Sequence, residues 1–294
     1  MATPDVEKTA YRGRFAPSPT GPLHFGSLLA AVASFLDARA HEGQWLLRIE
    51  DIDPPREASG ASDSIRRSLE AHGLCWDGNV VYQSRRSDAY AAALDSLSQA
   101  QLLFPCSCTR AILGKAGSCG QRCAPRSAQA TSLRLRLGTH PINFEDLILG
   151  PQQMCHTLSD VVLRRKDGLF AYALAVVVDD AWQGITHVLR GADIYAQTSV
   201  QIEALGALGY PAPLYGHLPL LCDRSGHKLS KQTGARALDS RHALENLRRV
   251  LELLGQSSAM FCADSPEHLL SQAATQWNRA PLQGAAGAKL VYLE

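Results

Sequence analysis

Long apolar runs are missing from this sequence of 294 residues. A helix needs about 20 consecutive apolar residues to cross a bilayer, and no run approaches that length, residues 171–178 included. The first residues also lack the basic segment followed by an apolar one that is typical of a secretory signal. We therefore expect a protein without membrane contact, located in the cytoplasm.

A strong charge of either sign is missing as well. The 29 lysines and arginines nearly balance the 28 aspartates and glutamates, which leaves a formal net charge of +1. This balance neither requires nor excludes a nucleic acid partner, which would need a local basic face. Hydrophobic residues make up 46% of the chain, so it can bury a sizeable core, and its length predicts one large domain with a smaller domain or an insertion.

Cysteines are present, but their context does not favour disulfides. There are eight, no export signal accompanies them, and four are clustered. Cys106 and Cys108 form one close pair, Cys119 and Cys123 form another, and ten residues separate the two pairs. This spacing predicts one structural zinc ion per chain, held in a closed tetrahedral site by four thiolates. Four free thiols in a loop are the alternative.

The hydrophobic pattern predicts an α/β fold with a parallel sheet. An apolar strand around residues 14–16, a helix over 27–41 and a buried strand over 45–49 follow one another near the start. Over 133–137, leucines alternate with arginines, which indicates a small antiparallel insertion with its basic residues outward. From residue 236 onward, apolar residues recur at helical spacing, so a helical C-terminal region is expected.

Two short motifs point to phosphate chemistry. The first, His-Phe-Gly-Ser at 24–27, follows a turn and opens a helix, whose unpaired backbone N–H groups and dipole favour phosphate oxygens. Its glycine lets a ring or a phosphate approach the backbone, and its histidine would add a side-chain donor. The second, Lys-Leu-Ser-Lys-Gln at 228–232, predicts a mobile loop that brings ammonium groups to a polyphosphate. Taken singly, a histidine satisfied within the protein and a solvated pair of lysines are the alternatives.

A third run, Arg-Ile-Glu-Asp-Ile-Asp, occurs at 48–53. In their order and spacing, the three motifs resemble those of class I aminoacyl-tRNA synthetases of the glutamyl branch. Glutamyl-tRNA synthetases continue into a large anticodon-binding region, whereas this sequence ends roughly sixty residues after the second motif. In that shortened form it resembles the glutamyl-Q tRNA(Asp) synthetase family. One departure is Cys119, which stands where some relatives use tyrosine as a zinc ligand.

The resemblance implies a class I synthetase fold, a Rossmann-type parallel sheet with a zinc-containing insertion and a short helical C-terminal region. The implied units are a catalytic domain in two halves at 1–105 and 168–235, an insertion with the small antiparallel sheet at 106–167, and the helical region at 236–294. The implied enzyme is a ligase that uses ATP with Mg²⁺ to activate L-glutamate without tRNA. It then transfers the glutamate to queuosine-containing tRNA(Asp).

Two other functions are left open by the sequence. One is a minimal glutamyl-tRNA synthetase that charges tRNA(Glu), and the other is a non-catalytic paralogue that binds tRNA. We expect the predicted enzyme to be a monomer.

The resemblance also assigns the site residues. A planar guanidinium can hold a carboxylate through two bonds, which suits Arg14 and Arg190, and Glu50 suits the ammonium group of the substrate. For Glu50 and Arg190, a structural salt bridge is the alternative. The expected glutamate-binding residues are Arg14, Phe15, Ala16, Pro17, Ser18, Glu50, Tyr172 and Arg190. The expected ATP-binding residues are His24, Gly26, Ser27, Lys228, Ser230 and Lys231, of which His24 and Lys231 are expected to be catalytic.

Overall fold

The structure, a computed structural model, describes residues 10–114, 117–120, 130–156, 158–222, 237–256, 261–283 and 291–292. Its helices are α1 (Phe25–Ala40), α2 (Ala61–Ala71), α3 (Ser87–Gln99), α4 (Arg110–Leu113), α5 (Tyr172–Trp182), α6 (Thr198–Ala207), α7 (Ala243–Leu253) and α8 (Pro266–Thr275). Its strands are β1 (Arg12–Phe15), β2 (Gln44–Ile49), β3 (Val81–Tyr82), β4 (Leu103–Cys106), β5 (Ser132–Arg136), β6 (Ile142–Asp146), β7 (Gly150–Met154), β8 (Asp160–Arg164), β9 (His187–Gly191), β10 (Leu214–Leu218), β11 (Leu221–Cys222) and β12 (Val291–Tyr292). Within these ranges, no helix has both the length and the apolar character needed to span a bilayer.

A parallel sheet forms the centre of the fold. β1 pairs with β2 and β2 pairs with β3, while β9 pairs with β10 and β10 pairs with β6, all in parallel. Backbone and side-chain hydrogen bonds between Arg12 of β1 and Thr186, just before β9, join these two groups of strands edge to edge. Strands in such sheets are covered on both faces, and β1 and β2 accordingly bury most of their side chains.

The helix α1 is buried on nearly all sides. Every residue from 28 to 38 except Ala30 is buried. The sheet covers one side of the helix, and α7 and α8 pack on it from the C-terminal region, with Leu251 and Leu269 in the same apolar core. The predicted helix over 27–41 is therefore present, beginning two residues earlier, and the C-terminal region is helical as expected.

The strands β4, β5 and β8 form the antiparallel sheet that the alternating pattern predicted. The expectation that its arginines face outward is wrong for Arg134, whose side chain is only 3% exposed. Arg134 donates hydrogen bonds to the buried carboxylate of Asp160 and to the carbonyl of Gly117. A buried guanidinium is tolerated because the carboxylate neutralises it, and alternation alone cannot reveal such a partner.

A hairpin within residues 106–167 extends the parallel sheet. β6 and β7 pair with each other in antiparallel fashion, and Asp146 of β6 lies opposite Tyr215 of β10. The segment predicted as an insertion therefore contributes strands to both sheets. The domain boundaries stay a prediction.

Asp37 ties the C-terminal region to α1. Its carboxylate is fully buried and accepts hydrogen bonds from the Tyr11 hydroxyl, from the Trp277 indole at 2.8 Å and from the Arg279 guanidinium at 2.6 and 2.8 Å. Burial by itself would raise the pKa of Asp37, but the hydrogen bonds and positive charge of Arg279 hold it below its usual value. The carboxylate is therefore ionised and fully bonded in the folded protein.

We predict that Asp37→Ala lowers the free energy of unfolding by about 3 kcal/mol, because it leaves the largely buried Arg279 without a counter-ion. The folded-state pKa of Asp37 lies below its ordinary value of 3.8, so the stabilisation is complete above that value and is lost as the pH falls through the folded-state pKa. Urea unfolding at about pH 7 and at about pH 3 measures both effects, and the difference between the two proteins should shrink at the lower pH.

Asp264→Ala serves as the control, since it removes a carboxylate that is 96% exposed. Its effect on the free energy of unfolding should stay below about 0.5 kcal/mol. Equal losses in the two variants would contradict the role given to Asp37.

Candidate active site

A cavity of about 610 Å³ opens where the parallel strands end. Ligand sites in open parallel sheets lie at the carboxyl ends of the strands, and here β1, β9 and β10 contribute residues to the lining, as does Glu50 directly after β2. The cavity is lined by all eight residues predicted to hold glutamate and by three of those predicted to hold ATP: Arg14, Phe15, Ala16, Pro17, Ser18, Glu50, Tyr172, Arg190, His24, Gly26 and Ser27. The other predicted residues, Lys228, Ser230 and Lys231, lie outside the described residues.

The amino end of α1 forms one wall of this cavity. His24 caps the helix, because its Nδ1 accepts a hydrogen bond from the backbone N–H of Ser27 at 3.3 Å. This bond places the proton of a neutral imidazole on Nε2 and makes that nitrogen a donor. A helix amino end and an imidazole donor lie side by side, which suits an anionic ligand such as a phosphate.

The segment 223–236, which contains the second motif, is flanked on both sides by residues at this wall. On its amino side, Leu220 and Leu221 line the cavity. On its carboxyl side, Ala237 forms a β-bridge with His24, and the backbone N–H of Leu238 donates to the carbonyl of Leu23 at 3.0 Å. The described residues next to the segment therefore lie at the cavity.

Four charged side chains form a buried network beneath the cavity. Asp180 of α5 accepts hydrogen bonds from Nε of Arg14 at 3.3 Å and from Nη1 of Arg48 at 2.7 Å. Nη2 of Arg48 also lies 3.5 Å from Oε1 of Glu50. All four side chains are at most 8% exposed. When Glu50 is ionised, two guanidinium groups and two carboxylates cancel in charge, which offsets much of the cost of burying them.

Glu50 lines the cavity and has an incompletely bonded carboxylate. Its Oε1 is buried and has no hydrogen-bond partner in the described part of the chain. Burial raises the pKa of Glu50 to about 7, although the charges of Arg48 and Arg14 act to lower it. The ion pair with Arg48 means that the structural alternative for Glu50 holds in part. A cationic ligand would complete its hydrogen bonds and stabilise the ionised form.

Arg190 is held by three hydrogen bonds to neutral groups. Nη1 donates to Oε1 of Gln201 at 2.6 Å, Nη2 to the hydroxyl of Thr198 at 2.8 Å, and Nε to Nε2 of His217 at 3.2 Å. The guanidinium also lies over the ring of Tyr215, 4.9 Å from its centre. A guanidinium has five N–H groups, so two remain for a ligand. Among the described residues no carboxylate forms an ion pair with Arg190, and the structural salt bridge considered for it is not found there.

A second cavity of about 200 Å³ adjoins the first. Glu50 and Tyr172 line both cavities. Burial raises the pKa of Tyr172, and the charge of Glu50 raises it further, so the phenol stays protonated and can donate a hydrogen bond. At the edge of this cavity Asp53 forms ion pairs with Arg56 and Arg165, which brace the turn after β2.

Sequence reasoning missed several residues that position the site. Asp180 and Arg48 form the centre of the buried network. The sequence did indicate them, because an arginine inside an apolar strand and an aspartate at the end of an apolar helix both need a partner of opposite charge. Thr198, Gln201 and His217, which hold Arg190, gave no comparable signal in the sequence.

Three cysteines converge within the predicted insertion. The sulfur atoms of Cys106, Cys108 and Cys119 all lie within 4.8 Å of one another, and those of Cys108 and Cys119 are 3.7 Å apart. In a tetrahedral site with Zn–S bonds of about 2.3 Å the sulfurs are about 3.8 Å apart, so these residues fit zinc. Cys123, the fourth predicted ligand, lies outside the described residues. The cluster could therefore hold a metal ion.

Asp160 orients the turn that carries Cys119. Its carboxylate accepts hydrogen bonds from the backbone N–H groups of Cys119 at 2.9 Å and Gly120 at 2.8 Å, and from the Ser118 hydroxyl at 2.7 Å. Burial would raise the pKa of Asp160, but the bonds from Ser118, Arg134 and the backbone hold it below its usual value. The ionised carboxylate thus fixes the backbone conformation at Cys119 and with it the position of one of the three thiols.

Comparison with known proteins identifies the fold. The family described as tRNA synthetases class I (E and Q), catalytic domain, matches residues 10–116 and 121–251. The crystal structure of a glutamate-tRNA synthetase from Elizabethkingia anophelis is similar with a TM-score of 0.80 at 23% identity, covering 96% of this chain and 68% of that one. The predicted class I synthetase fold with its parallel sheet is confirmed.

Curated relatives are more similar in sequence. The glutamyl-Q tRNA(Asp) synthetase of Dechloromonas aromatica is 51% identical over 261 residues, covering 84% of this chain and 86% of the relative. The glutamyl-Q tRNA(Asp) synthetase of Thiobacillus denitrificans is 49% identical over 280 residues, covering 90% of this chain and 93% of the relative. Both alignments span most of the two chains they compare.

Proposed function

The chain belongs to the glutamyl-Q tRNA(Asp) synthetase family, within the class I synthetases for glutamate and glutamine, and we propose that it has the activity for which that family is named. It is a ligase that activates L-glutamate with ATP in the absence of tRNA. It then transfers the glutamyl group to queuosine in the anticodon of tRNA(Asp). The observation that carries the proposal is the cavity that gathers every predicted glutamate-binding residue beside the amino end of α1.

Glutamate has two carboxylates and one ammonium group, and the cavity offers an opposite charge to each. Arg14 and Arg190 serve the carboxylates, and Glu50 serves the ammonium group. Arg190 is bonded to neutral groups only, so its full charge is available. Arg14 is already paired with Asp180 and acts chiefly as an oriented donor. Tyr172 adds a neutral hydrogen-bond donor, because burial keeps its phenol protonated.

Activation joins glutamate to ATP. An oxygen of the α-carboxylate attacks the α-phosphorus, and the bond to pyrophosphate breaks, giving glutamyl-adenylate and pyrophosphate. His24 and the amino end of α1 at Gly26 bind the phosphates, and Lys228 and Lys231 follow the leaving pyrophosphate. The placement of the residues that flank 223–236 beside the cavity supports this role of the lysines. Mg²⁺, when bound, screens the phosphate charge.

Transfer releases AMP. A hydroxyl of the cyclopentene diol of queuosine attacks the activated carbonyl carbon, an ester forms, the hydroxyl proton is lost and AMP leaves. The diol has the chemistry of the vicinal hydroxyls of a terminal ribose, so one pocket suits either acceptor. The smaller cavity, which shares Glu50 and Tyr172 with the large one, offers additional room beside the substrate pocket. The enzyme acts in the cytoplasm as a monomer.

The same proposal includes one structural zinc ion per chain, held by Cys106, Cys108, Cys119 and Cys123. Thiolates are the ligands that zinc prefers in closed sites, and such a site stabilises a segment too short to form its own core. With four protein ligands, zinc would have no open position for the reaction.

We expect Cys119→Ser to lower the zinc content of freshly purified protein below about one ion per chain, because a hydroxyl is a poorer zinc ligand than a thiolate. The melting temperature should fall with it. Elemental analysis and thermal unfolding before and after chelation measure the two effects. Cys75→Ser is the control, since it alters an exposed cysteine outside the cluster. Zinc-free wild-type protein, or unfolding unaltered by complete chelation, would reject the site.

Glutamate affinity should depend on pH through Glu50. This residue must be ionised to bind an ammonium group, and its pKa is about 7. As the pH falls below that value a growing fraction is protonated, so the KM for glutamate should rise, approaching about tenfold per pH unit, and it should level off at higher pH.

Glutamate-dependent exchange between ATP and pyrophosphate measures that profile. The variant Glu50→Gln is neutral at every pH, so its KM for glutamate should be raised and flat across the same range. A flat profile for the wild-type enzyme would remove Glu50 from the site.

The acceptor is tested with labelled glutamate. Label should appear on tRNA(Asp) from cells that make queuosine and not on tRNA(Asp) from cells that lack it, because the modified base carries the accepting hydroxyl. Exchange of ATP and pyrophosphate should proceed with no RNA present, and nuclease digestion should locate the label in the anticodon.

Two results would support other functions. Label on the 3′-terminal adenosine of tRNA(Glu) would identify a minimal glutamyl-tRNA synthetase, the function of the solved protein with the similar fold. Binding of tRNA without any exchange would identify a non-catalytic paralogue.

A further inference from the structure

Asp146, the last residue of β6, uses its two carboxylate oxygens for separate partners. Oδ1 accepts hydrogen bonds from the backbone N–H groups of Ile148 at 3.0 Å and Leu149 at 2.9 Å, and more weakly from that of His217 at 3.3 Å. Oδ2 faces Nδ1 of the His217 imidazole at 2.5 Å. Burial would raise the pKa of Asp146, but the bonds from His217 and from the two backbone groups hold it below its usual value. It is a buried anion with a fixed orientation.

His217 connects this anion to Arg190. The two residues are directly paired across the parallel strands β10 and β9, so their side chains are neighbours. Nε2 of His217 accepts the Nε–H of Arg190 at 3.2 Å and lies 3.0 Å from the hydroxyl of Thr198. The side chains of His217 and Asp146 are both fully buried, so neither contacts solvent.

The surroundings of His217 permit only one arrangement of its proton. The carboxylate at Nδ1 can only accept, so Nδ1 must carry the hydrogen, and the guanidinium at Nε2 can only donate, so Nε2 must be bare. Burial lowers the pKa of His217 despite the hydrogen bond to Asp146, and the nearby charge of Arg190 lowers it further. The imidazole is therefore neutral and of the Nδ1–H form.

This arrangement fixes the plane of the Arg190 guanidinium. Its Nε–H is bound to His217, and Thr198 and Gln201 at the start of α6 bind the other two nitrogens. A guanidinium is rigid and planar, so an acceptor at Nε fixes where the remaining two N–H groups point. Arg190 lines the large cavity, whereas Asp146 and His217 do not.

We propose that Asp146 and His217 are positioning residues for Arg190, and that the Nδ1–H form of His217 sets the affinity for the glutamate carboxylate that Arg190 binds. The inference rests on the proposed role of Arg190 in holding glutamate. Neither positioning residue contacts the substrate. The alternative is that Asp146 and His217 only satisfy each other's buried polar groups. In that case, moving the His217 proton from Nδ1 to Nε2 would leave the affinity for glutamate unchanged.

Asp146→Asn separates these possibilities with little change in shape. The amide oxygen can still accept the backbone N–H groups, while the amide nitrogen takes the place of Oδ2 and presents a donor to His217. The imidazole must then carry its proton on Nε2, where it opposes the Nε–H of Arg190. We expect the KM for glutamate to rise about tenfold or more, with kcat and the KM for ATP within about twofold of wild type.

Asp77→Asn is the matched control. Asp77 also accepts a backbone hydrogen bond, from Trp45 at 2.7 Å, and pairs with Arg39, but it lies outside the lining of both cavities. Its KM for glutamate should match that of the wild-type enzyme. A rise equal to that of Asp146→Asn would mean that general loss of stability explains the effect and would overturn the proposal.

Nitrogen NMR of the histidine side chains tests the proton arrangement without relying on activity. In ¹⁵N-histidine-labelled wild-type protein, the His217 resonances, identified by their loss in His217→Gln, should report a neutral ring protonated at Nδ1. In Asp146→Asn they should report the Nε2–H form. A charged ring, or an Nε2–H ring in the wild-type protein near neutral pH, would overturn the proposal even if the variant fails to fold.

Arg190→Ala separates failure of this inference from failure of the function on which it rests. If Arg190→Ala leaves the KM for glutamate unchanged, the proposed glutamate-binding role is wrong. The other outcome is that Arg190→Ala raises the KM for glutamate, whereas Asp146→Asn folds, carries the His217 proton on Nε2 and leaves the KM unchanged. In that case Arg190 binds glutamate, but the positioning role is refuted.

Discussion

The carboxylate of Asp180 permits two arginines to be buried beneath the cavity, and much of the site depends on it. Arg14 and Arg48 come from the adjacent strands β1 and β2, and both side chains reach the same residue of α5. Removal of Asp180 would leave Arg14 without its ion-pair partner and Arg48 with Glu50 alone, and breaking a buried ion pair costs about 3 to 5 kcal/mol, a large part of the stability of a domain. The ion pairs therefore anchor α5 against the sheet. Tyr172 begins the same helix, so its hydroxyl is placed relative to Glu50 by the same contacts.

The two arginines of the cavity differ in electrostatic character. Arg14 shares its charge with Asp180, whereas Arg190 is surrounded by an amide, a hydroxyl, a neutral imidazole and an aromatic ring. The uncompensated positive charge therefore lies at the β9 side of the cavity, and the carboxylate of Glu50 lies at the β2 side, directly after that strand. The side chains on both sides are held by buried partners, so these charges have fixed positions in the cavity.

Sequence patterns located the residues around the cavity but not the partners that hold them. The motif at 24–27 follows from local structure, because a turn, a cap and a helix occupy consecutive residues. Arg14 and Asp180, by contrast, are 166 residues apart, and Asp146 and His217 are 71 apart, so no local pattern links them. Arg134 is an example of an error from this cause. The alternating pattern predicted an exposed side chain, but Arg134 is buried because its guanidinium pairs with Asp160 of the neighbouring strand β8. Long-range charge pairing is the part that periodicity does not encode.

The hydrogen bonds to Asp37 also constrain the order in which parts of the chain can fold. Asp37 lies in α1, yet two of the groups that hydrogen-bond its carboxylate, Trp277 and Arg279, follow it by 240 and 242 residues. Until those residues emerge, the carboxylate cannot be buried without a large penalty, so α1 cannot settle fully between the sheet and its covering helices. Full burial of α1 therefore waits until residues 277–279 have been synthesised, and a chain truncated before them would leave Asp37 without these partners.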